Sequence, residues 1–359
     1  MRLQVASGMF CLCVMAATPA LAQSAAESNA AGWKLLEQGD AGQAAKAFAG
    51  ALAQRPDEPV LLFGAAMAAQ LQGQPAAAKP RLVHALEVNP GFTPASQLLG
   101  ELLYREGDLD RAIAVYEAAL RYRPGNPELA ARLETFRGEA AVHSTLIERR
   151  EDRFRVLFQG RTDGPLAAQA TGLLTKAFWR VGRMLGAYPS DPVLVMLYTD
   201  KQFRDITRAP EWSGGLYDGK IRVPVAGASR SPQLFERVLT HELTHAMVSA
   251  LAPRGVPSWM HEGLAQYFDG SSVDDARRRL RAHGRRIPLD QLDGSFDDLT
   301  TAGAVVAYDE SLVAVRAILE RRDISWTQLL YALAASERPR ETLAGFGIDY
   351  AELEASFAK

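Results

Sequence analysis

Residue classes recur every 34 positions through the first third of the chain. Gly39, Gly73 and Gly107 follow that period, as do Pro56, Pro90 and Pro124. Ala44, Ala78 and Ala112 form a third set, Phe48, Leu82 and Tyr116 a fourth, and Ala51, Ala85 and Ala119 a fifth. Such a period means that one supersecondary unit is repeated, and a unit this small cannot bury an apolar face by itself. Each unit reads as two amphipathic helices joined near the glycine. The alanines let the helices approach, the large apolar residue fills the space between them, and proline ends the second helix. Stacked neighbours then bury a continuous core, so an α-helical solenoid is expected.

The period and residue classes resemble the tetratricopeptide repeat, with units at 25–58, 59–92 and 93–126. The segment 128–139 is expected to be a capping helix, which extends the repeat domain over 25–140. In the first unit Ser28 stands where the usual bulky aromatic is missing, so its first helix is expected to fray. Such an array is either a scaffold that supports the second half of the chain or a groove for a peptide or protein partner. His84 and His143 read as ordinary helix or linker histidines.

Ahead of the repeats, Met1-Arg2 gives a short positive start, and a mostly apolar run extends from Val5 to Ala17. Ala20-Leu21-Ala22 then supplies a small-x-small cleavage site before Gln23. This is the pattern of a secretory signal peptide over residues 1–22, too short for a membrane span. Cys11 and Cys13 both lie within it, so the mature chain is expected to carry neither a disulfide nor a thiolate ligand. No later stretch is long and apolar enough to span a bilayer. The expected location is the periplasm or the cell exterior, as in Gram-negative-type export. A net charge of −2 gives no global attraction to nucleic acid.

From about Asp152 the pattern changes. Arg153–Phe158 alternates like a strand, a helix is expected over 166–185, and Pro192–Tyr198 reads as a buried strand. Asp218-Gly219 between short alternating runs predicts a hairpin over Gly215–Val223. Helices are expected next at Pro232–Leu251 and Ser258–Phe268, and the remainder is mainly helical. Strands first and helices afterwards suggest an α+β domain over 152–359.

The first of those helices carries His241-Glu242-Leu243-Thr244-His245. Residues four apart share a helix face, so the two histidines can grip one metal ion. Glu242 is placed to take a proton from water at that metal. A third ligand can come from Glu262 on the next helix, and His261 is its rival. The two residues point about 100° apart around the helix, so both are not expected to bind one ion. Three protein ligands with one open position is the layout of a catalytic zinc site, with one Zn2+ per chain; manganese and cobalt remain compatible with such ligands. Asp269 lies on the same helix face as Glu262, where it either orients a ligand histidine or simply ends the helix. Trp259 is expected to pack the second helix onto the first.

The motif residues His241-Glu242-x-x-His245 and Trp259-x-x-Glu262-Gly263-Leu264-Ala265, with the Gly215–Gly219 hairpin, resemble the gluzincin peptidases. The likeness is to the bacterial peptidase MA-like domains often joined to tetratricopeptide repeats, and it covers most of 152–359. It implies an α-helical repeat solenoid followed by an α+β gluzincin-like zinc peptidase domain. Glu262 would be the third ligand, as in aminopeptidase N-like enzymes, and Glu242 the general base. A related Tyr-x-x-Ser pattern makes Tyr308 the candidate oxyanion donor, although a buried structural tyrosine reads equally well. The hairpin over 215–225 is either a plain turn or an edge that pairs with an extended substrate. The arginines within Asp274–Arg286 read as a solvated helix face. Two rival functions stay open: a catalytically silent interaction protein of the cell envelope, and a zinc hydrolase of cell-wall peptides.

Overall fold

A computed structural model describes residues 19–160, 163–207, 215–225, 231–284, 286–296, 298–321, 323–336 and 338–357. The signal-peptide reading concerns 1–22, of which 1–18 lie outside the described residues, as does Arg285 of the basic run.

Helices α1 (Pro19–Glu37) and α2 (Ala41–Leu52), α3 (Pro59–Leu71) and α4 (Pro75–Val88), and α5 (Thr93–Arg105) and α6 (Leu109–Tyr122) form three pairs at the 34-residue spacing. Helix α7 (Pro127–His143) comes next and is longer than the expected cap. Gly39, Gly73 and Gly107 turn each pair with φ of 70°, 70° and 81°, a conformation that disfavours any Cβ. Asp40 and Asp108 cap the second helices by accepting from the backbone N–H of Gln43 and Arg111. All three Ala44, Ala78 and Ala112 are fully buried. Phe48 fills its gap so closely that a Cβ at Gly64 would stand 2.4 Å from its ring, and Tyr116 does the same to Gly100 at 2.2 Å.

The fraying expected of the first helix is not found. Helix α1 is continuous, because Trp33 supplies the aromatic contact that Ser28 cannot. Its ring lies 5.4 Å from Phe48 and 5.9 Å from Phe63.

The second half opens on a sheet. Strands β1 (Leu146–Glu151) and β2 (Phe154–Gln159) form a hairpin ahead of α8 (Gly164–Leu185), β3 (Val193–Tyr198) and α9 (Asp200–Thr207). Strands β4 (Leu216–Tyr217) and β5 (Ile221–Pro224) form a second hairpin. The order is β1-β2-β3-β5-β4, parallel in the centre and antiparallel at both ends, so among the described residues β4 is an edge. Along β3, Val195 and Leu197 enter the main core with α8, while Leu194, Met196 and Tyr198 face the other way. There they meet Phe203 of α9 and Val142 near the end of α7. The last helix after the repeats therefore covers one face of this sheet.

Among the described residues seven α-helices follow: α10 (Pro232–Leu251), α11 (Ser258–Asp269), α12 (Val273–His283), α13 (Thr301–Leu319), α14 (Trp326–Ala335), α15 (Pro339–Gly345) and α16 (Tyr350–Ser356). Ser231 caps α10 through Leu234 N–H, with Pro232 in the first turn, where a missing N–H costs nothing. Its buried face is Phe235, Leu239, Leu243 and Met247 at helical spacing. Helix α11 packs on α10 and on α13, touching α13 so closely that a Cβ at Gly263 would lie 2.2 Å from the Ser311 carbonyl oxygen. Trp259 is fully buried, and its indole N–H donates to Asp293 and Tyr350, which ties α11 to the carboxy-terminal lobe.

The turns of the repeats dock along the second half. A Cβ at Gly73 would meet Pro253 at 2.4 Å, and one at Gly107 would meet Leu194 at 2.7 Å. Arg254 Nη1 donates to the Gly39 carbonyl at 3.3 Å. The basic run is only partly a solvated face. Arg279 holds the buried Asp309 in a two-pronged pair at 2.8 and 2.5 Å, and Arg286 donates to the carbonyls of Leu280 and Phe357. Among the described residues no helix is long and apolar enough to cross a membrane.

Candidate metal centre

Helices α10 and α11 bring His241, His245 and Glu262 together. One ligand atom from each lies within 4.8 Å of the others. His241 Nε2 is 3.5 Å from Glu262 Oε2, and His245 Nε2 is 3.6 Å from Glu262 Oε1. Ligands about 2.0–2.2 Å from a tetrahedral zinc stand roughly 3.3–3.6 Å apart, so these spacings suit that ion. Glu262 Oε2 is buried and accepts no well-formed hydrogen bond, with His241 Nε2 its neighbour at 3.5 Å, so a cation held between the two would satisfy it. The donor set thus fits a metal. The side chains keep 21%, 14% and 20% of their exposure in the order His241, His245, Glu262, so none of the three is sealed from solvent.

His261 is not part of that ligand set. Its ring packs tilted against His245 with centroids 5.8 Å apart. Asp269 touches both His241 and the helix end. Its Oδ2 is 3.0 Å from His241 Nδ1, while Oδ1 accepts from Ser271 N–H and Oγ–H at 2.8 and 2.6 Å just past the helix end. That contact leaves Nε2 of His241 facing Glu262.

The charges follow from burial and neighbours. Burial raises Glu262, but His245 and His241 outweigh it and hold its carboxyl at about 2. Burial lowers His241, and the carboxylates of Asp269 and Glu262 override this to push it up to about 10. For His245 burial dominates and pulls it down to about 3. Glu242 is 7% exposed, and burial, helped by the Glu262 charge, raises its carboxyl to about 7. A carboxyl near neutrality can both take and give a proton at working pH.

Strand β4 lines the same helix face. A Cβ at Gly215 would fall 2.8 Å from Glu242 Oε1 and 2.9 Å from Val238. Tyr308 lies on α13, one turn before the Ser311 that meets Gly263. Its ring packs edge-on against Phe296, and its carbonyl accepts from Gln266 Nε2 at 2.8 Å.

A polar cluster that the sequence reading did not single out lies beside β5. Glu139, Lys220 and Arg222 are all buried, and Tyr104, Tyr198 and His143 surround them. The only signal was the alternation of Lys220 and Arg222 with Ile221 and Val223, which places both charges on one face of a strand. His143 belongs to this cluster rather than to a plain linker, while His84 pairs with Asp57 at the surface.

Comparison with known proteins bears on the amino-terminal half. A tetratricopeptide repeat family model matches residues 35–102 and 69–134. No curated protein matches the chain. Among solved structures the chain is similar to the first tetratricopeptide repeat domain of Spaghetti (RPAP3) bound to the HSP90 peptide SRMEEVD. The two share 25% identity over 33% of this chain and 97% of that one, with a TM-score of 0.32. The amino-terminal region is a tetratricopeptide repeat array.

Proposed function

We propose that the chain is a zinc-dependent peptidase of the gluzincin type whose repeat array recruits a protein substrate or partner. The observation that carries this reading is the convergence of two histidines and a carboxylate on one point, beside a second, buried glutamate. Zinc held by His241, His245 and Glu262 would acidify a water molecule and polarise the scissile carbonyl. Glu242 takes the proton from the attacking water and passes it to the leaving amine; its raised pKa suits both transfers. Tyr308, on the helix packed against α11, is the candidate donor to the tetrahedral oxyanion. Strand β4, at the end of the sheet among the described residues, is the place where an extended peptide would lie. The leader pattern of residues 1–22 would carry this chemistry to the periplasm or beyond the cell.

The test is hydrolysis of an unfolded protein by the zinc-supplemented chain beside Glu242→Ala. The variant is expected to keep zinc and fold but lose hydrolysis; retained hydrolysis overturns the mechanism. The repeat match favours a second reading, a silent interaction protein. Capture of a partner that stays intact, with no cleavage of any peptide, selects it. Cleavage of envelope peptides alone selects the cell-wall hydrolase.

A further inference from the structure

The β4–β5 hairpin has two ends with different neighbours. One end abuts Glu242 through Gly215. The other is bolted to the repeat array. Lys220 Nζ donates to Glu139 Oε1 at 3.0 Å, and Arg222 Nη2 donates to both Glu139 oxygens at 3.0 and 3.1 Å. Tyr104 of α5 donates its hydroxyl to Glu139 Oε2 at 2.6 Å and accepts from Arg222 Nη2 at 2.8 Å. Lys220 Nζ also sits 3.6 Å above the Tyr104 ring. Arg222 continues to Asp218 at 3.1 Å and to the Tyr198 hydroxyl at 2.9 Å. At the hairpin tip a Cβ on Gly219 would stand 3.3 Å from Arg105 Cβ at the end of α5.

The side chains of Glu139, Lys220 and Arg222 are 0%, 0% and 1% exposed. Burying three charges is costly, and only mutual pairing with further hydrogen bonds offsets that cost. A solenoid that served only as a tether would need no such cluster at its junction. Burial alone would raise the Glu139 carboxyl, yet Arg222 and Lys220 hold it at about 2, so it carries a full negative charge. A buried network in which the central carboxylate is held from several sides disfavours other arrangements and therefore fixes the elements that bear it.

From this geometry we infer that the repeat array is a structural part of the substrate cleft, with Glu139 as the positioning residue that fixes the β4 edge beside Glu242. The chain of contact runs from α7 through Glu139 to Lys220 and Arg222, along the hairpin, and to Gly215. A β4 edge held this way presents its backbone at one register to an extended peptide. The part concerning catalysis rests on the peptidase reading; the mechanical coupling does not.

The experiment uses the full chain with zinc and compares wild type, Glu139→Gln and the milder Tyr104→Phe. Amide hydrogen exchange is read segment by segment, with zinc content measured in parallel. In Glu139→Gln the amides of 215–224 are expected to exchange at least about tenfold faster, while α10 and α11 keep their protection and zinc is retained. Tyr104→Phe should show the same localised change at a few-fold, which keeps the test open should Glu139→Gln fail to fold. With an extended peptide substrate, KM should rise several-fold in both variants and kcat should hold within about twofold. Unchanged exchange in 215–224, or loosening spread evenly over the second half, overturns the coupling. A fall in kcat at constant KM overturns the positioning role. If the wild type cleaves no peptide, the peptidase reading fails alone and the exchange pattern still decides the coupling.

Discussion

Replacing Asp269 by alanine leaves all three metal ligands in place and removes the group that orients one of them. Asp269 Oδ2 stands 3.0 Å from His241 Nδ1, and Ser271 holds the other oxygen, so the carboxylate is fixed against the ring. Loss of such a partner weakens metal binding by about 10–100-fold, or roughly 1.4–2.7 kcal/mol. A second effect works against the first. The same carboxylate helps to push His241 up to about 10, so near neutrality the metal must displace a proton that Asp269 stabilises. Deletion relieves that competition, most strongly where the histidine is most protonated. The deficit of Asp269→Ala should therefore widen as pH rises from about 7 to about 8.5. Asp269→Asn keeps an acceptor oxygen without the charge and should fall between the two proteins. Competition with a chelator of known zinc affinity measures all three. Zinc affinity in Asp269→Ala equal to wild type at the higher pH would refute the orienting role.

Gly263→Ala would thrust a methyl group to 2.2 Å from the Ser311 carbonyl and 2.5 Å from Val315, between two buried helices. A loss of about 1–3 kcal/mol is expected, read as a denaturant midpoint shift; an unchanged midpoint would contradict the tight α11–α13 contact. Gly215→Ala presses on Glu242 Oε1, and a displacement of about 1 Å at a catalytic group can cost roughly 100-fold in kcat/KM. Full peptidase activity in that variant would show that β4 does not constrain Glu242. The His143 imidazole, 12% exposed, is pulled down to about 4 chiefly by burial. Its folded pKa lies below its unfolded value of about 6.5, so the unfolded chain takes up the proton first and stability falls as pH drops from about 6.5 to about 4. The loss attributable to this group is on the order of 3 kcal/mol. His143→Gln should flatten the acid limb of the stability curve, and an identical limb would falsify the assignment.

The helices that carry the candidate site were legible because local and tertiary signals agree there. Ser231-Pro232 marks the start of α10, its apolar face repeats at helical spacing, and Gly270 ends α11 with a φ of 86°. Strand β1 was not legible. Its residues Leu146–Glu151 are nearly all exposed and charged, so no alternation betrays it, and only pairing with β2 makes it a strand. Helix α9 escaped for a related reason: eight residues anchored mainly by Phe203 give too short a pattern. The cluster around Glu139 shows the deeper limit. Lys220 and Arg222 beside Asp218-Gly219 look like a solvated hairpin tip, and only the fold reveals a helix residue 81 positions earlier that buries them. Charged side chains carry no burial signal of their own when their partners are distant in sequence. Trp33 shows the same logic in the repeats, where an aromatic off the expected position does the packing.

Every catalytic role proposed for the second half depends on His241, His245 and Glu262 holding one metal ion. The direct measurement is zinc content of the purified protein beside Glu262→Ala and His261→Ala. One zinc per chain, lost in Glu262→Ala and kept in His261→Ala, is the predicted result. No zinc in the wild-type protein after reconstitution, or zinc that depends on His261 instead, would contradict it.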